Sequence, residues 1–155
     1  MLEKFYRVCN SPIEGMGLFA ARAIEKGMRI VRYTGERVSK EESLRRKKER
    51  GAKHIYSVAL DEDWEIDGDN PQNDARFANH SCAANCELIL EEGELWLKAA
   101  RDISANEELC FDYGFSLAEA LEHPCRCGAK NCAGFIVAEP SRKWLRRKVP
   151  NPRKV

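Results

Sequence analysis

Arg76-Phe77-Ala78-Asn79-His80-Ser81-Cys82-Ala83-Ala84-Asn85-Cys86 is the stretch on which the fold turns. It is rich in hydrogen-bonding side chains for a segment flanked by apolar runs. That richness reads as a loop lining a pocket, although a satisfied turn has the same composition. Its two thiols look outward to a second cluster, Cys125-Arg126-Cys127-Gly128-Ala129-Lys130-Asn131-Cys132. A Cys-x-Cys-x4-Cys run supplies three thiolates, whereas a closed tetrahedral zinc site takes four ligands, so the fourth has to come from elsewhere. Cys82 and Cys86 are the natural donors, ahead of His80 or His123. A metal bridging the two segments pins remote parts of the chain together.

The chain has 155 residues and seven cysteines, with 26 Lys and Arg against 25 Asp and Glu for a net charge of +1. That length forms one domain with a core. An N-terminus without an apolar signal core points to a reducing compartment, where an odd number of cysteines argues for metal or chemistry over a disulfide framework. No run approaches the roughly 20 apolar residues of a membrane span, so membrane insertion is not expected. Near-neutral charge argues against a general nucleic-acid coat, which needs excess cations. The charge is nonetheless laid out in blocks. Residues 40 to 53 carry seven basic and three acidic side chains, 61 to 74 carry seven acidic and no basic ones, and 141 to 155 carry seven basic and no acidic ones.

Ser39-Lys-Glu-Glu42 is a capping box ahead of a polar run stopped by Gly51, which predicts an exposed helix over 40–50 anchored by Leu44 alone. Ser116-Leu-Ala-Glu119 opens a second, short helix that must end before Pro124. Between them, Arg29 to Tyr33, Ile55 to Leu60, Cys86 to Leu90 and Glu94 to Ala99 read as strands punctuated by Gly and Asx-Gly turns. Pro150-Asn-Pro152 with Arg153 and Lys154 reads as a loose basic end. The acidic stretch 61 to 74 reads either as an attractor for a basic peptide or as a solvent-facing hairpin.

Two further segments complete the set. Glu14-Gly15-Met16-Gly17-Leu18-Phe19-Ala20 has glycines that let backbone approach a ligand closely, without the context of a dinucleotide fingerprint. Leu109-Cys110-Phe111-Asp112-Tyr113-Gly114 reads as a strand end presenting a tyrosine. In this order, Gly15-Met-Gly-Leu-Phe-Ala20, Tyr33-Thr-Gly-Glu36, Tyr56-Ser-Val-Ala-Leu-Asp61, Arg76-Phe-Ala-Asn-His-Ser-Cys82, Glu107-Glu-Leu-Cys-Phe-Asp-Tyr113-Gly114 and Cys125-Arg-Cys127 to Cys132-Ala-Gly134 resemble the SET domain of protein-lysine methyltransferases with its post-SET extension. The resemblance covers about residues 12 to 137. It departs from the family at Ala83-Ala84, where a proline is usual, at Glu14, where a basic residue is common, and in having no cysteine-rich pre-SET segment.

The resemblance implies a mostly β fold of the β-clip SET type. It implies several small sheets, short helices, a knot-like C-terminal threading that carries Phe111 to Gly114 past Asn79 and His80, and a zinc-bound post-SET loop. The expected division is a SET domain at 1–115, a post-SET segment at 116–137 and a basic tail at 138–155. The implied activity is methyl transfer from S-adenosylmethionine to a lysine nitrogen. In that reading Tyr113 is the catalytic tyrosine and Tyr56 a wall of the lysine channel, and Phe111, in place of tyrosine, leaves room for di- or trimethylation. Gly15, Met16, Gly17, Arg76, Asn79, His80 and Phe135 would hold the cofactor, and Cys82, Cys125, Cys127 and Cys132 one structural zinc.

The implied partner is a protein segment bearing a target lysine, such as a histone tail, with nucleic acid engaged only through the basic tail. The chain is expected to act as an intracellular monomer, cytoplasmic, or nuclear if its substrate is histone. Two rivals stand beside this reading: a zinc-stabilised binding module without catalysis, and a Cys-His hydrolase built on His80 and Cys82.

Overall fold

The computed structural model describes residues 4–51 and 56–148. In chain order these form β1 (Tyr6–Asn10), β2 (Met16–Ala20), β3 (Arg29–Tyr33), β4 (Glu36–Ser39), α1 (Lys40–Arg50), β5 (Ser57–Ala59), β6 (Trp64–Asp67), β7 (Asn79–His80), β8 (Cys86–Glu91), β9 (Glu94–Ala99), β10 (Glu108–Phe111), α2 (Leu117–Ala120) and α3 (Glu139–Lys148). A short 3-10 turn, Asp74–Phe77, leads into β7. The strands make three small sheets, ordered β1-β2-β10-β7, β3-β9-β8 and β4-β6-β5. The expected mostly β architecture with short helices is what the chain adopts.

Local chemistry accounts for most of these elements. The β8-β9 turn places Glu92 at φ 52° and Gly93 at φ 80°, two left-handed residues whose twist matches that of the strands they join. The Ser116 box is complete: its hydroxyl accepts from Glu119 N–H, and the Glu119 carboxylate accepts from Ser116 N–H. Helix α1 starts at Ser39, whose hydroxyl accepts from Glu42 N–H, and ends at Gly51 with φ 79°. The main core lies between the first two sheets, where Leu18, Ile24, Leu97, Ile103 and Leu109 are at most 2% exposed. A second, smaller core of Ala120, Ala133, Val137 and Leu145 holds the C-terminal elements together.

Three expectations change. Leu44 does not anchor α1, being 54% exposed. The inward residue is Ser43, which bonds to Glu65 and, at 3.1 Å, to Ser57. The helix is held by charge. Arg50 grips Asp67 with both guanidinium nitrogens, at 2.8 and 2.9 Å, Arg46 adds a 2.8 Å bond to the same carboxylate, and Lys47 reaches Glu65 at 3.0 Å.

The acidic stretch is therefore neither a bare hairpin nor a free attractor, because α1 and its neighbours neutralise much of it from within. Asp69 pairs with Arg50 and Arg76, and Asp74 with Lys4. Lastly, the residues that open the basic tail are ordered as α3, packed by Leu145 and Arg142. Ile55 and the Pro150 to Lys154 end lie outside the described residues, and the strand expected from Ile55 runs over Ser57–Ala59.

Burial pushes the Asp67 carboxyl up, but the hydrogen bonds from Arg50, Arg46 and Asp69 N–H outweigh it and bring it down to about 2. A folded-state value below the unfolded one contributes stability above about pH 4, lost as pH falls toward 2. Asp67→Asn leaves two guanidinium groups without their shared anion and is expected to cost about 3 kcal/mol at pH 7. Urea unfolding at pH 7 and pH 3 measures both effects, and the variant should lose less stability between the two pH values than the wild type.

Candidate active site and cysteine centre

β10 lies between β2 and β7, antiparallel to the first and parallel to the second, with Cys110 opposite Asn79 and Phe111 opposite His80. This is the expected passage of Phe111 to Gly114 beside Asn79 and His80. It brings the glycine loop, the Asn-His pair and the tyrosine to one place. The Asn79 side-chain amide donates to Glu14 O at 3.2 Å, Met16 O at 3.1 Å and Glu108 Oε1 at 2.9 Å. Glu108 also accepts from the Ser11 hydroxyl at 2.6 Å. A Cβ at Gly17 would sit 2.5 Å from Glu108 Oε1 and 2.9 Å from Ser11 Cβ, so the second glycine is required by packing. Asn79 thus sets the shape of the Gly15-Met16-Gly17 segment, which also forms the start of β2.

His80 is buried. Its Nδ1 accepts from Tyr113 N–H at 3.2 Å, which leaves the proton on Nε2, 3.5 Å from Cys82 Sγ. Burial pushes its pKa down, against the pull of nearby Asp112. The Tyr113 hydroxyl donates to Ala78 O at 2.9 Å, and burial drives that phenol well above its ordinary value, so it stays protonated. Around it, the Phe111 and Tyr113 ring centroids are 4.8 Å apart, and those of Tyr113 and Phe115 5.8 Å apart.

These rings, with Tyr33, Tyr56 and Ala78, line a narrow cavity of about 90 Å³. Arg76 is on the same wall, its guanidinium 5.7 Å from the Tyr56 ring centre. Ser57, Val58 and Ala59 of the edge strand β5 also line the cavity. Arg76 therefore sits with the tyrosine cavity, while Asn79 sits with the glycine loop. Phe135 is half-buried against the second core.

The four expected thiols meet. Cys82, Cys125, Cys127 and Cys132 place their sulfurs within 4.8 Å of one another, with Cys82 and Cys125 at 3.9 Å. The edge of a tetrahedron with 2.3 Å metal–sulfur bonds is about 3.8 Å. Backbone N–H groups of Cys82 and Gly134 point at the sulfurs of Cys127 and Cys132, at 3.4 and 3.3 Å, donors suited to thiolates. The donor set fits a zinc-type ion. Cys86 lies in the main core instead, and His123 stacks on Phe115. With its sulfur inside the four-thiol cluster, Cys82 is not available as a hydrolase nucleophile.

Three residues without an expected role complete the site. Tyr33 donates to Tyr56 O at 2.7 Å and fixes that part of the cavity wall. Arg126, between two of the thiols, pairs with Glu14 at 3.0 Å, which gives the unusual acidic residue before the glycine loop a partner. Arg142, only 4% exposed on α3, bonds Asp112 at 2.6 Å, Cys82 O at 3.0 Å and Val137 O at 3.1 Å. One guanidinium thereby ties α3 to the residue before Tyr113 and to one of the four clustered cysteines. Composition hid it inside a basic run. Arg142→Met leaves the half-buried Asp112 carboxylate and two carbonyls unanswered and is expected to cost about 3 kcal/mol. Hydrogen exchange should show α3 amides losing protection while β8 and β9 keep theirs.

A family model described as SET domain matches residues 15–114. The chain is 39% identical over 145 residues to "Histone-lysine N-methyltransferase trr" of Drosophila melanogaster, covering 89% of this chain and 6% of that protein. It is 39% identical over 133 residues to "Histone-lysine N-methyltransferase, H3 lysine-4 specific" of Schizosaccharomyces pombe, covering 81% and 14%. It is 36% identical over 136 residues to "Histone-lysine N-methyltransferase, H3 lysine-36 specific" of Aspergillus oryzae, covering 83% and 14%. The chain thus spans a small part of the curated relatives it matches. With the Asn79-His80 and Phe111-Tyr113 segments side by side in three small sheets, the chain belongs to the SET domain family.

Proposed function

We propose that this chain is an S-adenosylmethionine-dependent protein-lysine N-methyltransferase acting on a basic protein segment such as a histone tail. The observation that carries the reading is the narrow aromatic cavity lined by Phe111 and Tyr113, with the glycine loop bonded by Asn79 at the neighbouring strand β2. Three relatives named as histone-lysine methyltransferases support the substrate class, and two of them name different histone H3 lysines, so the choice of lysine stays open.

S-adenosylmethionine supplies the methyl group when bound. Gly15, Met16 and Gly17 would offer it backbone, Asn79 and His80 would hold it, and Phe135 would cover its adenine. The chain's own residues do the rest. A lysine ammonium has no lone pair, and presenting the neutral amine at pH 7 costs about 4.6 kcal/mol in water. Tyr33, Tyr56, Phe111 and Phe115 strip water from an entering side chain, which disfavours its charged form. The Tyr113 hydroxyl, fixed by Ala78 O, orients the nitrogen. Holding the reactants in line is the main source of acceleration. Phe111, lacking a hydroxyl, leaves room in the cavity for a nitrogen that already carries methyl groups. Among the described residues β5 is the edge strand of its sheet, which suits a substrate added as an extended strand.

Incubation with labelled S-adenosylmethionine and separate panels of core histones and cell lysate tests the reading. Label should enter a lysine, and Tyr113→Phe should reduce the rate about 10²-fold; undiminished label in the variant would overturn the assigned role. Mass spectra should show di- or trimethyl product from the wild type and a shift toward monomethyl in Phe111→Tyr.

The four thiols are proposed to hold one zinc ion, which stabilises the segment from Cys125 to Cys132 against Cys82. Metal analysis should find one ion per chain. Cys127→Ser should abolish it, with loss of hydrogen-exchange protection over 123–137 and α3.

A further inference from the structure

We propose that the outer face of α3 is a docking surface for the phosphate backbone of duplex DNA. The chain treats its two basic blocks differently. In α1 the arginines are spent internally: Arg45 on Glu42 and Glu49, Arg46 on Glu36 and Asp67, Arg50 on Asp67 and Asp69. In α3, Arg142 alone is consumed in this way. Among the described residues, no carboxylate lies within ion-pairing distance of Lys143, Arg146, Arg147 or Lys148.

All four are exposed, while Arg142 and Leu145 face inward. Lys143 and Arg147 stack one turn apart, as do Trp144 and Lys148, and Arg146 is three residues from Lys143, so the cations share one continuous arc. The arc spans about 7.5 Å of helix. Trp144, 50% exposed within it, adds an indole N–H donor.

The inward face makes this arc rigid. Leu145 is sealed in the second core, and Arg142 is clamped to Asp112, Cys82 O and Val137 O, so the cations are held in place relative to the cavity. Arginine forks suit phosphate oxygens, and duplex DNA offers one charge per about 1.7 Å. A net charge of +1 does not oppose this, because many of the carboxylates, those of Asp67, Asp69 and Glu65 among them, are paired with cations away from α3. The choice of DNA over another polyanion rests on the histone reading above.

Fluorescence anisotropy of a labelled 20-base-pair duplex with the full chain, in the absence of histone and cofactor, tests the surface independently of methyl transfer. Expected is a Kd on the order of 10⁻⁵ M near physiological salt and a log–log salt slope of roughly −3 to −4, at about −0.9 per phosphate neutralised. The variant Lys143→Gln/Arg146→Gln/Arg147→Gln/Lys148→Gln should bind at least about tenfold more weakly with a flattened slope. A charge-matched control, Lys26→Gln/Lys40→Gln/Lys48→Gln/Lys130→Gln, should bind within about twofold of the wild type if local charge governs. Both variants are checked by circular dichroism for intact fold. Equal weakening in the two variants, undiminished binding in the α3 variant, or tighter binding of duplex RNA or polyglutamate than of DNA would each overturn the proposal.

Discussion

The two-residue parallel contact between β10 and β7 is the constraint on which the molecule depends. Parallel neighbours cannot be joined by a tight turn, so the chain leaves Asn79-His80, builds the whole β8-β9 hairpin and returns as β10. So short a ladder is weak alone, and buried Asn85 reinforces it: its amide donates to Glu108 O at 2.8 Å and its carbonyl accepts from Cys110 N–H at 2.9 Å. With that crossing secured, a single strand presents Glu108 to the glycine loop on one side and Phe111 to the tyrosine cavity on the other. Its continuation carries Asp112 to Arg142.

Much of this was legible in the residues. The capping boxes and Gly51 mark the starts of α1 and α2 and the end of α1 because the caps are local chemistry, and the run at 94–99 matches its strand because alternate side chains are buried. Strands β1, β4 and β6 escaped notice for the complementary reason. Tyr6-Arg-Val-Cys-Asn10, Glu36-Arg-Val-Ser39 and Trp64-Glu-Ile-Asp67 are short and partly charged, and they are extended because a partner strand pairs with them. For the site, residue types and order identified the thiols, the glycine loop and the tyrosine. Spacing alone could not choose between Cys82 and Cys86, since four residues apart says nothing of which thiol faces the cluster and which the core. Arg142 and Tyr33 were invisible as site residues because their roles lie in partners distant along the chain.

The charge pattern illustrates the same division. Two blocks that look like solvated faces when read separately are, over the described residues 40–51 and 61–74, one structure, with Asp67 buried at its centre. Only the pairing of β4 with β6 makes this apparent, because it carries α1 over the acidic strand.

The Arg142 clamp also bears on the order in which the molecule is assembled. Its partners Cys82 O and Asp112 are 60 and 30 residues earlier, so their positions must be set by the sheets before the guanidinium has anything to grip. Long-range closures of this kind form late, after the loop entropy of the intervening chain has been overcome. A nascent chain can therefore complete its three sheets before Asp112 and the backbone of Cys82 are tied to α3, and that tie forms only when α3 emerges and docks.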